Sequence, residues 1–215
     1  MKTIHVEDAV AKIPDGASLM IGGFMGVGTP ERLVDEIVCQ GKRHLTIIAN
    51  DTAMPGRGIG KLVSAGLVDR VVASHIGLNP ETQQKMLKGE MEVELVPQGT
   101  LIERIRAGGY GLGGVLTKTG LGTVVEDSKQ RIEVHGELYL VEVAIKADFA
   151  LVQAFLADYL GNLSYALTAR NFNPVMAMAG ETVIACVDNI VPVGVIAPDN
   201  VMTPAPLVDF LVTHP

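Results

Sequence analysis

The chain has 215 residues, of which 48% are hydrophobic but only 4% aromatic, and its formal net charge is −7 at pH 7. This length predicts a single domain over residues 1–215. The negative charge, without any basic run, argues against a nucleic acid or an anionic membrane as the partner. The longest segment without Asp, Glu, Lys or Arg, residues 16–30, is shorter than the roughly 20 apolar residues of a membrane span. Because the N-terminal segment MKTIHVEDAV resembles neither a signal peptide nor a transit peptide, we expect a cytoplasmic protein.

Helices and strands alternate through the first half of the chain. A short helix is predicted at residues 6–11, and strands are predicted at residues 18–21, 45–49, 70–74 and 92–96. The helices that follow these strands are predicted at residues 30–39, 59–64, 80–87 and 101–107. This alternation predicts an α/β fold with an open, mostly parallel sheet and helices on both faces.

A glycine turn follows the first predicted strand. Gly22, Gly23, Gly26 and Gly28 allow positive φ and let the backbone approach a ligand that a Cβ would keep away. The pattern is neither a P-loop nor an ordered GxGxxG motif.

The next helix begins directly after this turn, with Thr29 as its predicted N-cap and Pro30 at its first position. Unpaired N–H groups at a helix start favour a carbonyl or carboxylate oxygen. A phosphate is disfavoured, because residues 16–30 contain no Lys or Arg and Glu31 adds a negative charge.

Polar or glycine-rich segments follow the predicted strands: Gly22-Gly23-Phe24, Asn50-Asp51, Ser74-His75 and Pro97-Gln98-Gly99-Thr100. The carboxyl ends of parallel strands meet at one edge of a sheet, where open α/β sheets bind ligands. We therefore expect these segments to form one site. His75 is interpreted as a structural residue of this edge, since the histidines show no metal-ligand spacing. Cys39 and Cys186 are expected to be buried thiols.

The alternation stops at residue 108. Seven glycines between residues 108 and 122 predict a loop that is mobile or ordered by a partner. Short strands at residues 124–126, 131–134 and 138–141 then predict an antiparallel appendage over about residues 123–142. Parallel strands resume at residues 150–155 and 183–187, and the proline-rich tail predicts a short helix near residues 207–212.

Seven short motifs occur in order along nearly the whole chain. The first, GGFMGVGTP at residues 22–30, is similar to GGFxxxGxP, the signature of the family I CoA-transferases. The further matches, in chain order, are Asn50-Asp51, PQGT at 97–100 followed by ERIRAGG, TGLGT at 119–123, GNL at 161–163, ARNFNP at 169–174 and PDNVMTP at 198–204. Within the family, the chain is most similar to the alpha subunits of the acetate and acetoacetate type.

The resemblance implies a ping-pong enzyme whose active site lies between an alpha and a beta subunit, usually in a heterotetramer. A glutamate attacks the acyl-CoA thioester and gives an acyl-glutamyl anhydride and CoA thiolate, which then forms a glutamyl-CoA thioester. The incoming acid takes the CoA by the reverse steps, and exclusion of water protects the activated intermediates. CoA is a substrate here, and neither a tightly bound cofactor nor a metal is implied.

The family's glutamate lies in a Ser-Glu-Asn-Gly motif of the beta part, and no glutamate of this chain is followed by Asn-Gly. The resemblance therefore implies that this chain has no catalytic residue and is inactive without a beta subunit. It also implies a set of CoA- and substrate-binding residues: Gly22, Gly23, Phe24, Met25, Gly26, Val27, Gly28, Thr29, Pro30, Asn50, Gln98 and Gly99. Of these, Asn50 and Gln98 are expected to hold the substrate carboxylate or acyl oxygen.

Four of the polar residues keep a second interpretation. Gln98 is also compatible with a helix cap and Asn50 with a bond to its own turn. An anionic Asp51, where the family often has Asn, would repel a carboxylate, so it either points away or titrates. Arg170 fits a CoA phosphate, but fits a structural hydrogen-bond hub better.

Two other classes of function remain open at this point. A strand, a glycine turn, a helix and then Asp51 resemble half of a nucleotide-binding oxidoreductase, although the glycines are misordered. A sugar-phosphate isomerase of related architecture needs a basic pocket, and no Lys or Arg cluster is predicted at the sheet edge. The same low charge favours a small monocarboxylic acid over a dicarboxylate as the acyl acceptor.

Overall fold

The computed structural model describes residues 2–213. Its helices in that range are α1 (Val6–Ala11), α2 (Glu31–Gln40), α3 (Gly60–Ser64), α4 (Pro80–Leu87), α5 (Gln98–Gly109) and α6 (Asn173–Ala179). Its strands are β1 (Ser18–Ile21), β2 (Leu45–Asp51), β3 (Val68–His75), β4 (Glu92–Leu95), β5 (Gly114–Thr117), β6 (Arg131–Val134), β7 (Glu137–Val143), β8 (Ala147–Asp158), β9 (Leu163–Ser164), β10 (Gly180–Val191) and β11 (Phe210–Thr213). The predicted alternation in the first half is confirmed, and half of the element ends are shifted by one to three residues.

The main sheet has the order β11-β10-β8-β1-β2-β3-β4, and neighbours along this path are parallel. Successive residues of β1 serve two apolar layers: Leu19 packs with α1, α2 and α3, whereas Met20 packs with α5 and α6. Because both faces of the sheet are covered, its strands are continuous apolar runs. The predicted parallel sheet with helices on both faces is confirmed.

The neighbouring strands β8 and β10 extend past the others. β1 pairs with β8 as far as Leu151, whereas β8 and β10 remain paired up to Asp158 and Val191. Asp158, 2% exposed, closes the following turn by accepting hydrogen bonds from the N–H groups of Gly161 and Asn162, each at 3.0 Å. Burial acts to raise the pKa of Asp158, but hydrogen bonds from the Asn162 side chain and from the N–H groups of Asn162, Leu160 and Gly161 outweigh it and hold the pKa below its ordinary value.

The antiparallel appendage differs from its prediction. Val124–Glu126 is a 3₁₀ turn, and the third strand is β5, so the small sheet has the order β5-β7-β6 and spans residues 114–143. The predicted glycine loop is wrong for the glycines that lie in α5 and β5, because these serve close packing. A Cβ on Gly108 would strike the backbone of Ile145, and one on Gly114 would strike the backbone of β7. Glycine there permits a helix and a strand to approach a neighbouring backbone.

Three further expectations are corrected. The tail forms the parallel edge strand β11 where a helix is predicted, because the apolar run FLVT pairs with the distant strand β10. Helix α6 lies between the parallel strands predicted at residues 150–155 and 183–187, where no helix is predicted. Cys186 is buried as expected, but Cys39 is exposed on the last turn of α2. Among residues 2–213, no helix is long and apolar enough to cross a membrane.

Candidate active site at the strand ends

The carboxyl ends of β1, β2 and β3 and the start of α5 surround a cavity of about 350 Å³. This strand-end cavity is lined by Phe24, Met25, Asn50, Asp51, Ser74, His75, Leu78 and Gln98. The predicted meeting of these strand ends at one edge is confirmed. No sequence motif marks Leu78, which lies in the connection between β3 and α4.

The remaining predicted binding residues lie behind or beside this cavity. One group is buried beneath the glycine turn: Gly22, Gly23, Thr29 and Pro30. A second group completes the turn nearer the surface: Gly26, Val27 and Gly28. Gly99 lies on the other side of Gln98 and lines a separate cavity of about 250 Å³ between α5 and β5.

The glycine turn is a tight, hydrogen-bonded loop. Phe24 N–H donates to the Val27 carbonyl at 3.0 Å, and Val27 N–H donates back to the Phe24 carbonyl at 2.9 Å. The two residues between them, Met25 and Gly26, have φ values of 51° and 83°. Positive φ at both central positions is typical of hairpin turns and projects the Met25 side chain towards the strand-end cavity.

Asparagines of the ARNFNP segment hold this turn from behind. Asn173 is fully buried, and its Nδ2 donates to the carbonyls of Gly28 at 2.9 Å and Ala169 at 3.0 Å. Its Oδ1 accepts from the Gln153 N–H at 3.0 Å. The hydrogen-bond hub expected at Arg170 is therefore formed by Asn173, three residues further on, and Arg170 itself is exposed.

The helix start also differs from its prediction. Pro30, not Thr29, is the N-cap of α2, and the buried Thr29 side chain packs beneath Gly23. The Glu31 side chain does not cap the helix but accepts hydrogen bonds from Gly58 N–H at 2.9 Å and Lys61 Nζ at 2.7 Å. Its negative charge is thus paired with Lys61. Burial acts to lower the pKa of Lys61, but the hydrogen bonds to Asp35 and Glu31 outweigh it and raise that pKa.

A chain of hydrogen bonds forms the polar wall of the strand-end cavity. Gln98 Nε2 donates to Asn50 Oδ1 at 2.6 Å, and Asn50 Nδ2 donates to Asp51 Oδ2 at 2.7 Å. Ser74 Oγ also donates to Asn50 Oδ1, at 3.1 Å. Asp51 is 5% exposed and accepts from Met25 N–H at 2.8 Å. Its carboxylate is therefore buried and hydrogen-bonded at the edge of the cavity.

The cavity combines this polar wall with apolar side chains. Phe24, Met25 and Leu78 are each partly exposed towards it, at 42%, 44% and 37%. Its described lining residues include no Lys or Arg. Across residues 2–213, no group of three His, Cys, Asp or Glu side chains is placed to hold a metal ion. Such a cavity suits a small acyl group with one oxygen that accepts a hydrogen bond.

The chain is similar to known proteins over nearly its whole length. The model of the coenzyme A transferase family matches residues 3–214. The chain is 51% identical to the alpha subunit of acetate CoA-transferase from Escherichia coli K12, over 98% of this chain and 96% of the relative. It is 49% identical to the alpha subunit of acetoacetyl-CoA:acetate/butyrate CoA transferase from Clostridium acetobutylicum, over 100% of this chain and 98% of the relative.

A solved structure has a similar fold. An acyl-CoA transferase from Escherichia coli O157:H7, in a thioester complex with CoA, matches 99% of this chain with a TM-score of 0.88 and 26% identity. This chain covers 47% of that longer chain, about half its length. With a family model that matches almost every residue and two relatives about half identical over their full length, the chain belongs to the coenzyme A transferase family.

Proposed function

We propose that the chain is the alpha subunit of a heteromeric CoA-transferase that moves CoA between acetyl-CoA and a short-chain or 3-oxo acid such as acetoacetate or butyrate. The observation that carries the proposal is the strand-end cavity, with its amide wall of Asn50 and Gln98 and its apolar side chains. The names of the two relatives, both alpha subunits of transferases for acetate or acetoacetyl-CoA, support it.

The nucleophile is proposed to come from a beta subunit. No glutamate occurs among the described lining residues of the strand-end cavity, and none in the sequence is followed by Asn-Gly. A beta-subunit glutamate attacks the thioester carbonyl, the C–S bond breaks, and CoA leaves as the thiolate. The thiolate then attacks the glutamyl carbonyl of the anhydride and releases the carboxylate product, which leaves a glutamyl-CoA thioester. An incoming carboxylate reverses both steps.

This chain is proposed to bind and orient the acyl group. Gln98 Nε2 carries two N–H bonds, and donation of one to Asn50 leaves the other to point at an acyl or carboxylate oxygen. A fixed donor of this kind stabilises the negative charge that develops on that oxygen during attack. The glycine turn, held by Asn173, brings backbone and the Phe24 and Met25 side chains against the acyl-CoA.

The acyl acceptor is proposed to be a monocarboxylic acid. The carboxylate that reacts needs to meet the beta-subunit glutamate, so a second carboxylate would lie among Phe24, Met25 and Leu78. An unpaired charge in apolar surroundings is strongly unfavourable. The family also includes enzymes named for a dicarboxylic acyl group, because a relative 44% identical to this chain is a subunit of a succinyl-CoA:3-ketoacid coenzyme A transferase.

The two alternative classes lose their support. Asp51, which would bind a ribose in an oxidoreductase, is buried and already accepts hydrogen bonds from Met25 and Asn50. A phosphate of an isomerase substrate would meet no Lys or Arg among the described lining residues of the cavity.

Transfer assays test the proposal. The complex with a co-expressed beta subunit should transfer CoA from acetyl-CoA to acetoacetate or butyrate much faster than to succinate. Gln98→Ala should lower kcat by about 10²-fold, as expected for loss of one oxyanion donor. Gly113→Ala, at an exposed position away from the cavity, is the control. Succinate as the preferred acceptor would contradict the proposed specificity, and normal kcat in Gln98→Ala would contradict the role of Gln98.

A further inference from the structure

Two non-glycine residues with left-handed backbone lie on different loops of the site. Met25, in the glycine turn, and Ala53, just after β2, both have φ of 51°. This conformation is unfavourable for residues that have a Cβ. Both donate their N–H groups to the same carboxylate: Met25 to Asp51 Oδ2 at 2.8 Å and Ala53 to Asp51 Oδ1 at 2.7 Å. Asp51 therefore holds two strained loops together.

The same carboxylate also decides which way the neighbouring amides point. The oxygen and nitrogen ends of an Asn or Gln amide have nearly the same shape, so hydrogen-bond partners fix their orientation. A carboxylate only accepts, so Asn50 has to turn its Nδ2 towards Asp51, at 2.7 Å. Its Oδ1 then faces the opposite way and accepts from Gln98 Nε2 at 2.6 Å. The orientation of the Gln98 amide is therefore set by Asp51, two hydrogen bonds away through Asn50.

We propose that Asp51 is a positioning residue whose carboxylate fixes the Asn50 amide and, through it, the direction in which Gln98 offers its free N–H to the substrate. This inference rests on the proposed function. It also explains why an acidic residue is compatible with a site for carboxylic acids. The Asp51 oxygens accept hydrogen bonds from Met25 N–H, Ala53 N–H and Asn50 Nδ2, and these donors offset its negative charge.

Replacement of Asp51 by asparagine removes this directional control. The new asparagine can present either its amide oxygen or its amide nitrogen to Asn50, so the side-chain amides of Asn50 and Gln98 can both flip by about 180°. Loss of a well-placed donor lowers kcat by up to roughly 10²–10³-fold. Since only part of the D51N population is misoriented, we expect kcat to fall about 10-fold with KM changed less than about 3-fold.

A double-mutant cycle with Gln98 separates positioning from a merely structural role. Gln98→Met keeps the side-chain length but has no amide to orient. In the assembled enzyme, D51N should lower kcat about 10-fold when Gln98 is present and less than about 2-fold in the Q98M background. Equal losses in both backgrounds would overturn the inference, because Asp51 would then act on the glycine turn alone. Unchanged kcat in D51N would overturn it as well.

Two controls keep the test decisive. If D51N fails to assemble, the cycle is repeated in an Ala53→Gly background, where glycine adopts positive φ without the Asp51 bond; Ala53 is not among the lining residues of the strand-end cavity. If the wild-type complex transfers no CoA, the proposed function fails and the inference fails with it. An active wild type with equal D51N losses overturns the inference alone.

Discussion

Replacement of Gly22 by alanine should displace the buried side chain that supports the glycine turn. Gly22 has no left-handed φ, so alanine carries no backbone penalty there, but its Cβ would overlap the Asn173 side chain. Asn173 would then lose its bonds to Gln153 N–H at 3.0 Å and to the carbonyls of Gly28 at 2.9 Å and Ala169 at 3.0 Å.

The magnitude follows from these bonds. Each is worth about 1 kcal/mol net, and buried partners left unpaired add to the loss, so we expect about 3 kcal/mol of lost stability. For a chain of this size, that corresponds to a fall in Tm of roughly 6–12 °C. Thermal unfolding followed by circular dichroism measures this shift in the assembled enzyme, alongside its transferase activity.

Gly113→Ala is the matched control. Gly113 has no left-handed φ, and nothing lies within 4 Å of the position of its Cβ, so its stability should change by less than about 0.5 kcal/mol. In an Asn173→Ala background, which removes the overlapping atoms, Gly22→Ala should add less than about 1 kcal/mol. A wild-type Tm in the Gly22→Ala single variant would refute the reasoning, because Asn173 would not be the fixed support of the turn.

Three other predictions concern stability and reactivity away from the strand-end cavity. Because hydrogen bonds hold the pKa of Asp158 below its ordinary value, the stability that its carboxylate contributes is present above about pH 4 and is lost as the pH falls. Asp158→Asn should cost about 2 kcal/mol at pH 7, and the Tm of the variant should approach that of the wild type in acid. Burial raises the pKa of the Cys186 thiol to about 11. A thiol reagent at pH 8 should therefore modify the exposed Cys39 at least about 100-fold faster than Cys186, and a Cys39→Ser variant should show only the slow reaction of Cys186. Arg104→Met should leave the buried Glu142 paired with Lys129 alone and lower the stability of the small sheet by about 2–4 kcal/mol. The loss should appear as faster proteolysis within residues 114–143, and unchanged cleavage there would show that Arg104 does not stabilise the small sheet.

The parts of the fold that rest on local signals could be predicted from the sequence. Helix α4 begins at Pro80 after the cap Asn79, whose side chain accepts from the following N–H groups, and its bounds are as predicted. The strand ends could be placed together because parallel strands that alternate with helices point the same way. Asn50, Gln98 and the glycine turn meet for this reason.

The parts that depend on distant partners could not. Asn173 binds Gly28, 145 residues away, and no local pattern marks such a contact. β11 forms because it pairs with β10, although its own sequence lies within the proline-rich tail. The glycines at 108 and 114 signal flexibility in isolation, but in the fold they allow close backbone contact. The role of Asp51 depends on N–H groups from two loops, which a sequence does not align.

The location of the covalent intermediate tests the central claim most directly. The assembled enzyme is incubated with acetoacetyl-CoA without an acceptor acid, denatured in acid, and its subunits are weighed by intact-mass spectrometry. The account predicts a CoA adduct on the beta subunit, an unmodified mass for this chain, and no adduct or transfer when this chain is incubated alone. A CoA adduct on this chain would contradict the account, because its own glutamates would then supply the nucleophile.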